Sequence, residues 1–156
     1  MPKSAILRLM LNLVRLGLAL FFLYTSVAKI PDLPTTALFL TRSDIFPESA
    51  SMPLACIGVA MEFVVGCCFL FRCYYFAASI WSLVMCSTFV ALFVQAWFRG
   101  LDLSCNCTGT SAIIDNYPME VGYRLLLAGA CLITLWDAFR LASLAKKGKP
   151  LDFSEA

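Results

Sequence analysis

Apolar residues run almost without break through four stretches of this chain, and the polar residues gather between them. The first stretch covers about residues 6–28, interrupted by Asn12 and Arg15. The second covers about 53–71 and contains one carboxylate, Glu62. The third, about 74–98, carries no charge, and the fourth, about 121–139, has Arg124 near its start and Asp137 near its end. Runs of about 18 or more apolar residues are long enough to cross a bilayer as helices. The pattern therefore predicts an all-α membrane protein, a four-transmembrane-helix bundle. Its 156 residues form a single integral membrane domain, because little chain is left for a soluble module.

Composition supports this reading. Hydrophobic residues make up 61% of the chain and charged residues only 14%. A soluble domain of this size needs more polar surface. The first stretch also has features of a signal peptide: Lys3 and Arg8 ahead of it, and Ser26-Val27-Ala28 as a small-residue cleavage motif. Its apolar run is too long for that, so it is expected to stay as a helix.

The connection from Ile30 to Met52 holds Pro31, Pro34 and Pro47 around the apolar run Ala37-Leu38-Phe39-Leu40. A short interfacial helix is expected to start near Pro34, capped by Asp32 or Leu33, and to lie over one end of the bundle. Tyr74, Trp81, Trp97, Tyr117 and Trp136 suit aromatic anchors at the two interfaces. Gly17, Gly58, Gly66, Gly122 and Gly129 are expected to allow close helix approach.

Charge sets an expected orientation. Lys3 and Arg8 precede the first helix, Arg72 lies in the short second connection, and Arg140, Lys146, Lys147 and Lys149 follow the last helix. The two longer connections are poorer in base and richer in acid. Both termini are then cytoplasmic and both long connections face outward. In a bacterial inner membrane this makes the second long loop periplasmic, an oxidising location.

That loop carries Cys105-Asn106-Cys107. Two thiols one residue apart do not make a complete tetrahedral metal site, but they can close a small, strained disulfide ring. Strained and exposed disulfides are the labile, catalytic kind. The pattern points to thiol–disulfide chemistry at a membrane surface; the plainer reading is two incidental cysteines among eight. Cys56, near the outer end of the second helix, is a candidate resolving thiol. Cys67, Cys68, Cys73, Cys86 and Cys131 read as packing residues or surface thiols away from that loop.

Ionisable residues inside a membrane span are costly and mark function by default. Glu62 lies roughly 13 Å below the outer end of its helix when that helix is started at Pro53. Lys29 closes the first helix at the same face, and Arg124 lies one turn inside the fourth. Lys29 or Arg124 is the expected partner of Glu62, and Arg15 is expected to reach the same cluster with its long stem. The cluster either tunes a nearby thiol, since a close base lowers thiol pKa, or simply pins helix register.

Some chemistries are excluded. The chain has no His, hence no His-ligated zinc or haem and no His base. It has no phosphate-binding glycine loop, no Ser–His dyad and no basic stripe for nucleic acid. A small transporter finds no support in an inverted repeat or a broken helix.

Taken together, Arg15-x-Gly17, Phe22, Ser26 and Lys29, then Phe46-Pro47, Glu62 and Gly66, then Arg99-Gly100 with Cys105-Asn106-Cys107-Thr108-Gly109, and finally Arg124, resemble the MauE/DoxX-like membrane proteins. The resemblance spans about residues 8–140. Asn106 stands where that family usually has Gly, and Thr108 where it usually has an aromatic residue.

The resemblance implies a four-helix bundle with Cys105 and Cys107 as the redox pair. Arg15, Lys29, Glu62 and Arg124 become a supporting polar cluster. MauE is associated with maturation of the disulfide-rich small subunit of methylamine dehydrogenase alongside a thioredoxin-like partner, and DoxX-like proteins with quinone-linked sulfur chemistry. The plan is also similar to vitamin K epoxide reductase and the bacterial quinone-linked disulfide oxidases. The expected partners are thus the lipid bilayer and a periplasmic thioredoxin-like or disulfide-containing protein, with a quinone as the candidate cofactor. The competing expectation is a non-catalytic assembly or scaffold protein whose Cys-x-Cys is structural.

Overall fold

The computed structural model describes residues 3–42, 47–99 and 117–146, without the side chains of the outermost residues at several helix ends or of residue 96. Cys105 and Cys107 lie outside the described residues, as do Phe46, Gly100, Asn106, Thr108 and Gly109. The described residues form only helices: α1 (Lys3–Lys29), a 3-10 turn (Ile30–Asp32), α2 (Leu33–Arg42), α3 (Glu48–Phe71), α4 (Tyr75–Arg99) and α5 (Tyr117–Lys146). Four helical segments are long and apolar enough to cross a membrane, and the segment beginning in α1 runs on through α2.

α1 packs chiefly on α3, and α4 on α5; contacts between α3 and α4 and between α1 and α5 close the ring. Residues 100–116 join α4 to α5, so α1 and α4 finish, and α3 and α5 begin, at one end of the bundle. That end is called the connector end below. The interior is a mixed aromatic and small-residue core of Leu18, Ala19, Phe22, Val65, Phe69, Ala78, Cys86 and Cys131. Large apolar side chains such as Leu13, Ile57, Leu126 and Phe139 remain exposed on the outside. On a soluble protein such a surface would be a liability; around a bundle of this length it is where lipid chains pack.

Hydroxyl side chains in the interior turn back on their own helices. Ser26 donates to the Leu23 carbonyl at 2.9 Å, Ser82 to Ser79 at 2.9 Å and Thr134 to Cys131 at 2.8 Å. Satisfied in this way, they act as small packing residues. Of the five helical glycines, Gly66 alone has a close neighbour where a Cβ would stand. A Cβ there would lie 2.8 Å from Leu23 Cγ and 3.1 Å from the Leu23 backbone nitrogen. Gly17, Gly58, Gly122 and Gly129 face open space, so the expected close approach holds for the α1–α3 crossing only.

The helices outrun their apolar stretches. α3 starts at Glu48, with Pro47 extended at its N-cap (φ −64°, ψ 145°) and Pro53 inside the helix rather than at its start. Ala50 N–H donates to the Pro47 carbonyl at 2.9 Å and Ser51 Oγ to the same carbonyl at 3.3 Å. An acid in the first turn, here Glu48, also favours a helix start. α5 likewise begins before Val121 and continues past Phe139. Between α3 and α4, Arg72 (φ 57°) and Tyr74 (φ 48°) take left-handed backbone, which ends α3 and reverses the chain.

The expected short helix after α1 is α2. Asp32 Oδ1 accepts a 2.7 Å bond from Thr35 Oγ1 across its start. Ala37 and Phe39 are buried, and Phe39 stacks on Phe93 of α4 with ring centroids 5.5 Å apart. α2 therefore packs along the first turns of α3 and extends the bundle at the connector end.

Candidate functional site

The site forms because α2 lengthens α1's side of the bundle. With the first turns of α3 alongside α2, Glu62 stands level with the last residue of α1. Lys29 Nζ donates to Glu62 Oε1 at 2.6 Å, and both side chains are nearly sealed, at 5% and 4% exposure. Glu62 lies 14 residues into α3, about 21 Å along its axis from Glu48, deeper than a start at Pro53 implies. The ammonium also lies 5.3 Å from the centre of the Phe89 ring.

Arg124 reaches the same region from α5. Its guanidinium carbon sits 3.5 Å from the centre of the Phe93 ring, the ring that stacks on Phe39. Desolvated cation–π contacts of this kind contribute about 2 kcal/mol. Of the two bases expected to partner Glu62, Lys29 makes the bond. Arg124 instead ties α5, through Phe93, to α4 and α2.

Lys29, Glu62 and Arg124 share a cavity of about 60 Å³ whose other walls are the aromatic Phe21, Phe22, Phe89 and Tyr123 with Thr25, Cys86 and Leu127. Glu62 Oε2 is buried and has no hydrogen-bond partner among the described residues. Thr25 stands beside the carboxylate, with a hydroxyl that bonds the Phe22 carbonyl at 3.2 Å and is able to turn toward Glu62. An unpartnered buried carboxylate oxygen costs free energy unless a donor reaches it. Here it opens on a space with apolar walls and one polar end, the usual makeup of a small-ligand site. The volume is under half of the roughly 150 Å³ of an apolar cavity that holds benzene. Water, or the carbonyl edge of a ring, fits the cavity, and a whole ring does not.

Arg15 is not part of this group. It lies 14 residues from Lys29 on the same helix, about 21 Å away. Its electrostatic neighbours are Arg72, Tyr75 and Asp137 at the opposite end. There Tyr75 Oη donates to Asp137 Oδ2 at 3.2 Å. Helical rise places Arg15 nearer Asp137 than Glu62, so the expected four-residue cluster divides into a connector-end group and an opposite-end group. Arg15 Nε is buried without a partner among the described residues.

Cys56 is exposed on α3 and does not line the cavity. The interior thiols hold a contact that sequence spacing does not reveal. Cys86 on α4 and Cys131 on α5, 4% and 0% exposed, bring their Sγ atoms to 3.6 Å. Cys86 is also a wall of the cavity. The aromatic walls were equally illegible, since Phe21, Phe89 and Tyr123 look like any other apolar residues in a span. No group of three or more potential metal ligands occurs among the described residues.

Fold and site together define a four-helix integral membrane protein with a buried Lys–Glu pair opening on an aromatic cavity. The family described as Methylamine utilisation protein MauE matches residues 7–137, and the chain belongs to that family. No match was found among curated proteins or among solved structures.

Proposed function

We propose that this chain is a membrane thiol–disulfide redox protein that serves the maturation of disulfide-containing proteins. Cys105 and Cys107 form its outward-facing exchange pair. A thiolate of a periplasmic thioredoxin-like or disulfide-containing partner attacks one sulfur of the Cys105–Cys107 disulfide. The other leaves as a thiolate, and a second partner thiol resolves the mixed disulfide. The partner is oxidised by two electrons and the Cys pair reduced by two. With the reverse poise, the same exchange runs backwards.

The observation that supports this reading is the Glu62 oxygen left without a partner among the described residues, in a cavity lined from α1, α3, α4 and α5. α4 and α5 wall that cavity, and residues 100–116 connect them. The donor set suits a quinone's polar edge, with Lys29 and Arg124 as cationic donors toward a carbonyl and Glu62 Oε2 as acceptor from a hydroxyl, while the cavity of about 60 Å³ admits that edge and not the whole ring. When bound, such a group supplies a two-electron acceptor. The chain's own residues bind and orient it and exclude water. The distribution of Lys and Arg supports cytoplasmic termini and a periplasmic Cys loop in a bacterial inner membrane.

The test is a trap. In cells, a Cys105→Ser variant is expected to accumulate a mixed disulfide through Cys107, seen as a reducible adduct absent from the Cys105→Ser/Cys107→Ser variant. If neither single Cys→Ser variant at 105 or 107 forms an adduct, and both thiols stay alkylatable in the wild type, the assembly-protein alternative stands instead. The satisfied half of the Lys29–Glu62 pair, which by itself would fix helix register, already favours that alternative.

A further inference from the structure

The end of the bundle away from the connectors holds two guanidiniums that the proposed exchange chemistry does not use. We propose that Arg15 and Arg72 bind the phosphodiester of an anionic phospholipid, at the step where α3 turns back into α4 while α1 and α5 run on. Helical rise places them there. From the Lys29–Glu62 contact, Arg15 lies 14 residues along α1, about 21 Å, and Arg72 lies 10 residues along α3 at its C-cap, about 15 Å. Their heights differ by about one helical turn, a gap that two long side chains span. α1 continues for 12 residues beyond Arg15, about 18 Å, and α5 for nine beyond Asp137, about 14 Å. The α3–α4 turn thus leaves a ledge beside two longer helices.

This group of charges lacks an anion. Tyr75 feels Arg15, Arg72 and Asp137 at once, and Arg15 feels the other three. Among the described residues neither arginine forms an ion pair, and Arg15 Nε is buried with no acceptor. Asp137, 8% exposed, accepts at Oδ2 from Tyr75 Oη at 3.2 Å. Two positive charges therefore face one negative charge that is already bonded. A phosphodiester brings the missing negative charge and oxygen acceptors for the buried Nε. Guanidinium is the side-chain group whose planar fork matches phosphate oxygens.

The surroundings select a lipid over a free phosphate. Phe71 and Tyr74 bracket the turn that carries Arg72, and Trp136 and Phe139 flank Asp137 along α5; all four are more than half exposed. Exposed aromatic and apolar side chains beside a charged step suit acyl chains that hang from a headgroup. Basic pockets between spanning helices hold anionic headgroups in this way. A zwitterionic lipid brings its own ammonium, which the two guanidiniums repel, so a headgroup without an amine is favoured. This inference depends neither on the cavity at Glu62 nor on the chemistry of Cys105 and Cys107.

The experiment uses the full chain, delipidated in dodecylmaltoside and titrated with phosphatidylglycerol or phosphatidylcholine, with bound lipid counted by native mass spectrometry. Saturable retention of phosphatidylglycerol, and no such retention of phosphatidylcholine, is expected. Arg72→Gln alters a half-buried turn residue and is expected to weaken phosphatidylglycerol binding about fivefold, the worth of one base at an anionic lipid surface. Arg15→Lys keeps the charge but removes Nε and the planar fork, and is expected to weaken binding while circular dichroism stays that of wild type. Arg42→Gln makes the same change of charge on α2, at the connector end, and is expected to bind as wild type. Equal retention of the two lipids, an equal loss in Arg42→Gln, or wild-type retention in Arg72→Gln overturns the proposal. Displacement of the lipid by excess inorganic phosphate overturns it as well, because the site then takes a soluble phosphate.

Discussion

Separating the stability role of the Lys29–Glu62 pair from its chemistry is possible because the two roles respond differently to removal of one partner or both. In Glu62→Gln the Lys29 ammonium stays buried at 4% exposure, facing an amide in place of a carboxylate. Breaking a buried pair on one side costs about 3–5 kcal/mol. An ordinary interhelical hydrogen bond in a membrane averages about 0.6 kcal/mol, because the unfolded helices find other partners in the bilayer. The buried charge therefore dominates the expected loss. At about 1.4 kcal/mol per factor of ten, 3–5 kcal/mol lowers the folding equilibrium by two to four orders of magnitude. The double variant Lys29→Met/Glu62→Met removes both charges and keeps similar volume, and such replacements are often neutral or stabilising. Unfolding by graded SDS in mixed micelles, followed by circular dichroism, measures all three forms. The single variant is expected to be strongly destabilised and the double variant close to wild type, while partner oxidation is lost in both. A single variant within 1 kcal/mol of wild type would show that the carboxylate is solvated and refute the argument from burial. A double variant that regains redox function as well as stability would make the pair a register device alone.

Cys105 and Cys107 are expected to form a reversible disulfide with a potential above the roughly −300 mV that bounds structural bridges, read by alkylation after equilibration in glutathione buffers; a lower value, or thiols that never pair, contradicts the exchange role. Membrane-impermeant maleimide should label both on intact reduced cells, and labelling only after the inner face is opened would reverse the proposed orientation. Gly66→Val is expected to cost about 1–3 kcal/mol by overpacking the α1–α3 crossing, where Leu23 backbone leaves no room, whereas Gly122→Val should lack this clash term. Arg124→Met should lose about 2 kcal/mol with the Phe93 contact, and an unchanged SDS midpoint would mean the guanidinium is hydrated in the bilayer.

Much of this protein was legible along the chain. Four apolar runs set four spanning helices, because a backbone in hydrocarbon must satisfy its hydrogen bonds within itself. Glu62, Lys29 and Arg124 stood out because charge is rare in such runs, and two of them proved to be partners. Helix ends were less legible: polar first turns such as Glu48–Met52 carry no hydropathy signal, and a proline within the opening turns looks like a start. What the tertiary structure decided was register between helices. A helix offers each residue several possible neighbours, and rotation and depth choose among them. Those choices sent Arg15 toward Asp137 instead of Glu62, left a carboxylate oxygen of Glu62 without a donor among the described residues, and brought Cys86 and Cys131 together. Apolar side chains look alike to a bilayer, so hydropathy says which segments cross it but carries no information on which faces meet; that depends on the close fit of small and large residues where the helices pack.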